Sequence, residues 1–306
     1  MDEENLTSAR LMAVAQPYFD SYENIGRSYI FHYTSFNVLS SILKTDCFSF
    51  RMTYSSDFED KDEGTIIETV YSEVLRQMLV DNVINNKMYN LLFDLKPIDK
   101  MIDYEWPRYL SSIMSFVLCF TDNGNSNYMW DNYCKPIDSG VNIIIATHLF
   151  HSHYFVIKDY PPSECKPFFG FQVLKVIYDE HEQRSIVFRR IKELIDAYHN
   201  EPHHDQEDIS LLRFYVADCL KQLRLSFKKK KFEEESEFRI VFNVSANDAD
   251  SYKCMQTDDN NRRFVVLKIQ NNSNKFIVHK SPFFDNNKYP LQGCTAVELD
   301  DDEYNN

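Results

Sequence analysis

The chain is 306 residues long and 43% hydrophobic, with 24 Phe and 19 Tyr supplying much of the bulk for a core. It carries 47 acidic against 33 basic residues, a net charge of −14, and a field of that sign repels phosphate backbones at long range and disfavours a general nucleic-acid coat. Only six residues are glycine and no G-x-G occurs, which excludes the dinucleotide fingerprint and the phosphate loop, since each needs clustered glycines where backbone approaches phosphate. Seven cysteines without a C-x-x-C argue against a disulfide framework or a zinc ribbon. The opening MDEENLTSAR is acidic and does not read as a signal peptide, and no apolar run approaches the roughly 20 residues of a membrane span. These features together predict a soluble, cytoplasmic protein that neither enters nor crosses a membrane.

In chain order, residues 5–22 predict an amphipathic helix with Leu11, Val14, Ala15 and Tyr18 on one face. SYIFHYT (28–34) predicts a buried strand, and SFNVLSSILK (35–44) a helix with Ser35 as N-cap. DCFSFRMTY (46–54) alternates as a strand, and 60–112 is mostly helical with breaks near Pro97 and Pro107. SIMSFVLCFT (112–121) is the strongest strand, followed by the turn DNGNSN, a short helix at 127–135 and a buried strand at 141–147. A strand at 171–179 precedes helices at 181–200 and 206–227. ESEFRIVFNV (235–244), RFVVLKI, KFIVH and CTAVEL predict the last four strands, with 247–261 a polar hairpin excursion. Strand clusters separated by unequal helical stretches predict an α+β fold. The expected organisation is a single domain over 1–306, with core strands within 28–54, 112–179 and 235–299 and helical inserts at about 60–112 and 181–227.

Four segments carry the residue types that do chemistry. His32, with Tyr33 and Thr34, ends the first strand, where donors and acceptors face a sheet edge. Arg51 and Tyr54 end the second strand, before an acidic turn containing Asp57, Glu59, Asp60, Asp62 and Glu63 that lacks the spacing of a calcium loop. Met129, Trp130 and Tyr133 share a helix face at i, i+1 and i+4, a cluster suited to stacking a planar ring or to filling a core. Glu235, Glu237 and Arg239 alternate, so on a strand all three point one way while Phe238, Ile240 and Phe242 point the other. Histidines 148, 151 and 153, and 199, 203 and 204, form two groups, but Pro202 interrupts the i, i+4 spacing of His199 and His203 and no H-E-x-x-H occurs, so no metal is expected.

Taken in order, FHYTSFNVLSSILKTDCFSF, YSSDFED, VLCFTDNGNSNYMWDNY and EEESEFRIVF resemble a bacterial family catalogued as a domain of unknown function, number 2971. More distantly, a strand ending in His, a following helix and a late strand carrying Glu resemble the ADP-ribosyltransferase fold, which holds NAD in a split, mixed β-sheet without a glycine-rich loop. That resemblance implies an NAD-consuming enzyme, an ADP-ribosyltransferase or an NAD glycohydrolase, of the kind that serves as a bacterial toxin or defence effector. It implies His32 as the contact to the adenosine ribose, with Tyr33, Thr34, Arg51, Trp130 and Arg239 around the same NAD. Glu237 would be the catalytic carboxylate, Glu235 its E-x-E partner, and either Tyr54 or Tyr133 the ring that stacks on nicotinamide. The polymerases of that group carry H-G where this chain has His32-Tyr33. Implied partners are NAD or a related nucleotide and a protein acceptor or inhibitor. Two other readings fit the same fold, a non-catalytic nucleotide sensor and an RNA 2′-phosphotransferase.

Overall fold

The computed structural model describes residues 28–44, 47–58, 65–93, 95, 113–149, 155–160, 170–200, 206–245, 249–270, 277–289, 291 and 295–297. The predicted helix at 5–22 lies outside them, as do the acidic residues 59–63 and His151, His153, His203 and His204. The chain divides into two compact units. One draws its described residues from 65–95 and 176–230, and the other from 28–58, 114–175 and 231–297.

The first unit is helical. Helices α2 (Ile66–Val80), α3 (Asn86–Phe93), α5 (Glu180–His199) and α6 (Gln206–Arg224) carry apolar residues at helical spacing. Their stripes meet in one core that includes Val74, Leu75, Met78, Leu92, Val187, Ile191, Leu212 and Val216. Asp179 caps α5 by accepting from the Glu182 N–H at 2.8 Å, as a short acid does at a helix start. The buried Gln183 amide donates to the carbonyls of Ile177 and Lys228, tying the segment before α5 to the one after α6.

The second unit holds an 11-stranded sheet: β1 (Tyr29–Ser35), β2 (Cys47–Tyr54), β3 (Ile113–Thr121), β4 (Gly140–Ala146), β5 (Phe155–Ile157), β6 (Gly170–Lys175), β7 (Glu237–Ser245), β8 (Gln256–Thr257), β9 (Arg263–Gln270), β10 (Ile277–Lys280) and β11 (Thr295–Val297). The main path is β11-β10-β4-β1-β3-β2-β9-β5, with β7 joined to β3, β6 to β7 and β8 to β9. The sheet is curled and largely antiparallel, while β10 and β11 pair in parallel. Helices α1 (Phe36–Ile42), α4 (Asn127–Tyr133) and α7 (Ala249–Cys254) accompany it. Two corrections arise here. The polar stretch 247–261 holds α7 and β8 instead of an irregular loop, and the three-residue β5 carries too short a pattern to be read from sequence.

The sheet divides at β3. β1 pairs with β4 along seven residues but meets β3 at one pair, Phe31↔Thr121. β2 pairs with β9 along seven residues but meets β3 at two, Thr53↔Val117 and Tyr54↔Phe116. The main core lines the inner faces of these strands, with Ile30, Phe48, Phe50, Met52, Phe116, Phe120, Ile143 and Leu267 among its members. The opposite face of β1 packs Phe31 and Tyr33 against Met129 and Trp130 of α4.

The turn 121–126 runs against that second cluster. A Cβ on Gly124 would stand 2.7 Å from Cζ of the fully buried Phe31 ring, so only glycine fits without displacing it. Gly124→Ala is therefore expected to lower stability by about 1–3 kcal/mol, the range for overpacking a core, and thermal denaturation measures it as a melting point several degrees lower.

Candidate functional site

The candidate site is built where β1 leaves β3 and β7 begins. β7 runs along β3: the Asp122 N–H donates to the Ser236 carbonyl at 3.2 Å, and Ser115 Oγ donates to Asn243 Oδ1 at 2.6 Å. Alternation along both strands turns Phe120, Phe238 and Ile240 into the main core, and turns Cys119, Glu237 and Arg239 to the other face.

Glu235 corrects the sequence reading. It does not lie on the strand but ends a 3-10 turn, Lys230–Glu235, and Ser236 between the two glutamates has φ of 42°. That left-handed residue breaks the alternation the E-x-E spacing suggests. Both glutamates are buried all the same, Glu235 at 4% and Glu237 at 5% exposure, beside Arg239 at 1%. Arg239 donates through Nε to Glu237 Oε1 at 2.8 Å and through Nη2 to Oε2 at 3.1 Å, a bidentate pair. Glu235 Oε1 accepts from the Tyr133 hydroxyl at 2.7 Å. Burial, that hydrogen bond and the charges of Glu235 and Glu237 all hold the Tyr133 phenol protonated, far above its ordinary range. Both carboxylates lie beneath a half-exposed tyrosine ring, Glu237 on the Arg239 guanidinium and Glu235 on the Tyr133 hydroxyl.

His32 reaches β3 from the opposite face. Its ring lies 5.0 Å from that of Phe50 and 5.6 Å from that of Phe120, and its Nδ1 is 3.1 Å from the Cys119 carbonyl. A carbonyl accepts only, so Nδ1 carries the proton and Nε2 is left as an acceptor. Burial pushes the His32 pKa down to about 4, opposed by the Cys119 carbonyl, and the ring is neutral at pH 7. Cys119 thus joins the two halves of the site: its carbonyl receives His32, and its exposed thiol lies within electrostatic reach of Tyr133. The sequence reading passed over Cys119, although the apolar alternation of SIMSFVLCFT already turns it away from the core.

The lowered pKa has a consequence for stability. Between the unfolded value of 6.5 and the folded value of about 4, the unfolded chain binds the extra proton, so His32 contributes stability above pH 6.5 that is lost as pH falls towards 4. Urea midpoints at pH 7 and pH 5 are expected to differ less in His32→Gln than in the wild type. An equal difference in both proteins would show that His32 does not carry this dependence.

The remaining candidate residues fall elsewhere. The Tyr33 hydroxyl donates to the Asn123 carbonyl and accepts from the Ser126 N–H, both at 3.0 Å, and burial keeps it protonated. The fully buried Trp130 donates from Nε1 to Asn125 Oδ1 at 3.3 Å, and Asn142 Nδ2 donates to the Gly124 carbonyl at 2.7 Å. These residues clamp the turn 121–126, and Ser126 in turn caps α4 by accepting from the Met129 N–H. Tyr33 and Trp130 therefore fix the start of the helix that ends in Tyr133. Thr34 is buried near the end of β1, opposite Val141.

Tyr54 lies four residues along β2 from Phe50, about 13 Å at the rise of a strand. Its ring meets Phe116 and the Arg263 guanidinium, 4.1 Å over its centre, and Arg263 is held by Asp57 of the acidic turn. Arg51 turns outward from the core. Among the described residues no group of three or more His, Cys, Asp or Glu is placed to hold a metal. An open groove of about 450 Å³ lies in the helical unit, lined by residues such as Glu73, His181 and Arg184, and none of the candidate residues lines it.

Fold and site define an α+β protein with a curled, largely antiparallel sheet and, beside β3, a cluster of the half-exposed Tyr133 with buried Glu235, Glu237 and Arg239. Residues 129–240 match the model of a family described as a protein of unknown function (DUF2971). That span takes in Trp130, Tyr133, Glu235, Glu237 and Arg239 and supports the resemblance drawn from the M-W-x-x-Y and E-x-E-F-R motifs. No curated protein and no solved structure matches the chain. No described helix is long and apolar enough to cross a membrane.

Proposed function

We propose that this chain is an NAD-consuming enzyme of ADP-ribosyltransferase type, a transferase or a glycohydrolase, working at the Tyr133, Glu235, Glu237 and Arg239 cluster. The observation that carries the reading is the burial of two carboxylates at one place, Glu235 under the hydroxyl of the half-exposed Tyr133 and Glu237 on Arg239. Breaking the bond between nicotinamide and ribose develops an oxocarbenium-like cation on the sugar, as glycoside cleavage does. A fixed carboxylate at low dielectric stabilises that cation. Glu235, oriented by the Tyr133 hydroxyl at the exposed rim, is the carboxylate assigned to the sugar. Nicotinamide departs with the bonding electron pair, water or an acceptor hydroxyl adds to the ribose carbon, and Glu235 takes the proton released.

One further feature supports the reading, while the neutral His32 ring, with Nε2 as an acceptor, lies on the face of β3 opposite the carboxylates. Tyr133 is 46% exposed at the rim of the carboxylates, which suits a stacking ring better than Tyr54, already covered by Arg263. The test is incubation of the protein with NAD followed by proton NMR. Free nicotinamide with ADP-ribose indicates a glycohydrolase, and nicotinamide with labelled macromolecule a transferase.

A second reading rests on the burial of both glutamates, which closes the cluster to solvent. A non-catalytic nucleotide sensor would keep such a closed site. It would show a thermal shift with NAD and no nicotinamide release.

A further inference from the structure

Glu235 is 4% exposed, so a ligand meets its carboxylate only after a neighbouring group moves aside. The backbone around Glu235 is tied down. The Ser236 N–H donates to the Glu233 carbonyl at 3.0 Å, and the Asp122 N–H donates to the Ser236 carbonyl at 3.2 Å. Glu237 is held by two N–H groups of Arg239. Tyr133 is fastened differently. The start of α4 is anchored by the Ser126 cap and by the buried Trp130, whose Nε1 donates to Asn125 Oδ1. Tyr133 is the last residue of that helix, its ring is half exposed, and it belongs to none of the three apolar clusters of described residues. Among the described residues, the bond from its hydroxyl to Glu235 Oε1 at 2.7 Å is the one hydrogen bond its side chain makes.

We propose that Tyr133 is a gate that shuts the site in the free protein, its hydroxyl holding the place on Glu235 that a hydroxyl of the incoming ligand takes over. This rests on the assignment of the site above, but not on turnover of NAD. The exchange is balanced, because one O–H donor to the carboxylate replaces another and the buried charge keeps its partner throughout. The motion is small. The anchored part of α4 stays in place, and the ring turns about its own side-chain bonds, as exposed side chains do within nanoseconds. A single hydrogen bond to an ionised acceptor biases the gate towards closure by about tenfold or more. The apparent affinity of a ligand is reduced by the fraction of open molecules, so the gate weakens binding by the same factor. A site closed for good would be covered by a residue packed into a core, as Trp130 is and Tyr133 is not.

The test couples the carboxyl groups of the full chain to glycine ethyl ester with a carbodiimide and reads Glu235 and Glu237 separately by fragment-ion mass spectrometry. Tyr133→Phe keeps the ring and removes the bond. In that variant Glu235 is expected to label about tenfold faster than in the wild type, while Glu237 stays equally slow in both. Equal Glu235 rates would overturn the gate. A parallel rise at Glu237 would also overturn it, since general loosening of the fold moves both residues. With NAD as the probe, Tyr133→Phe is expected to show a KM about tenfold lower and a kcat that does not rise. An unchanged KM would overturn displacement of the hydroxyl by the ligand. Faster labelling of Glu235 alone, with no nicotinamide release from either protein, would uphold the gate and remove the NAD reading.

Discussion

Glu237→Gln is expected to lower folding stability by about 3–5 kcal/mol, the range for breaking a buried ion pair from one side. The pair is buried on both sides, with the Arg239 side chain 1% and that of Glu237 6% exposed, and two guanidinium N–H groups run to the carboxylate. Glutamine preserves shape and one acceptor but removes the charge, leaving the Arg239 guanidinium in a poorly solvated place beside a neutral amide. The asymmetry of such pairs supplies the control. Replacing both partners with apolar residues, Glu237→Leu with Arg239→Met, removes the charge that the single substitution strands. The double variant is therefore expected to be more stable than Glu237→Gln alone. Urea denaturation of the three proteins at one pH decides the matter: if Glu237→Gln leaves the midpoint where it was, the pair does not carry the start of β7. Because the pair is buried, loss of activity in Glu237→Gln would not by itself identify a catalytic group.

The strands with a strong period were legible from the chain. β1 and β3 follow from SYIFHYT and SIMSFVLCFT because each is a short β-rich apolar run, as a strand buried on both faces is, and α5 follows from its apolar stripe. The E-x-E-x-R pattern was legible only in part. It marked three residues that the fold buries together, but alternation assumes extended backbone, and the φ of 42° at Ser236 places Glu235 before the strand. Helical spacing assigned Trp130 and Tyr133 to one face, whereas the fold sends Trp130 into the core and leaves Tyr133 at the rim. Here the tertiary setting decided, because Tyr133 ends α4 and its hydroxyl is drawn to a buried carboxylate. The contacts that make the site join distant positions: Tyr133 to Glu235 are 102 residues apart, and His32 to Cys119 are 87 apart. Periodicity reports which face a residue takes, not which distant strand end it will meet, so the convergence had to come from the fold.

Glu235→Gln is expected to reduce nicotinamide release by about 10²–10³-fold, equivalent to about 3–4 kcal/mol of transition-state stabilisation if the loss of a preorganised group transfers in scale. This variant separates chemistry from folding better than Glu237→Gln does. The substituted amide keeps a carbonyl oxygen that can accept the Tyr133 hydroxyl, now 2.7 Å from Glu235 Oε1, and the bidentate partner of Arg239 remains Glu237. It removes the negative charge of the carboxylate assigned to the cationic sugar. Tyr133→Phe is the companion: it leaves the charge and removes only the hydroxyl that orients Glu235, so its loss of rate is expected to be smaller. The order wild type, Tyr133→Phe, Glu235→Gln in nicotinamide release, with urea midpoints of all three close together, is the signature of electrostatic stabilisation by Glu235. Equal rates in wild type and Glu235→Gln would remove this carboxylate from the chemistry.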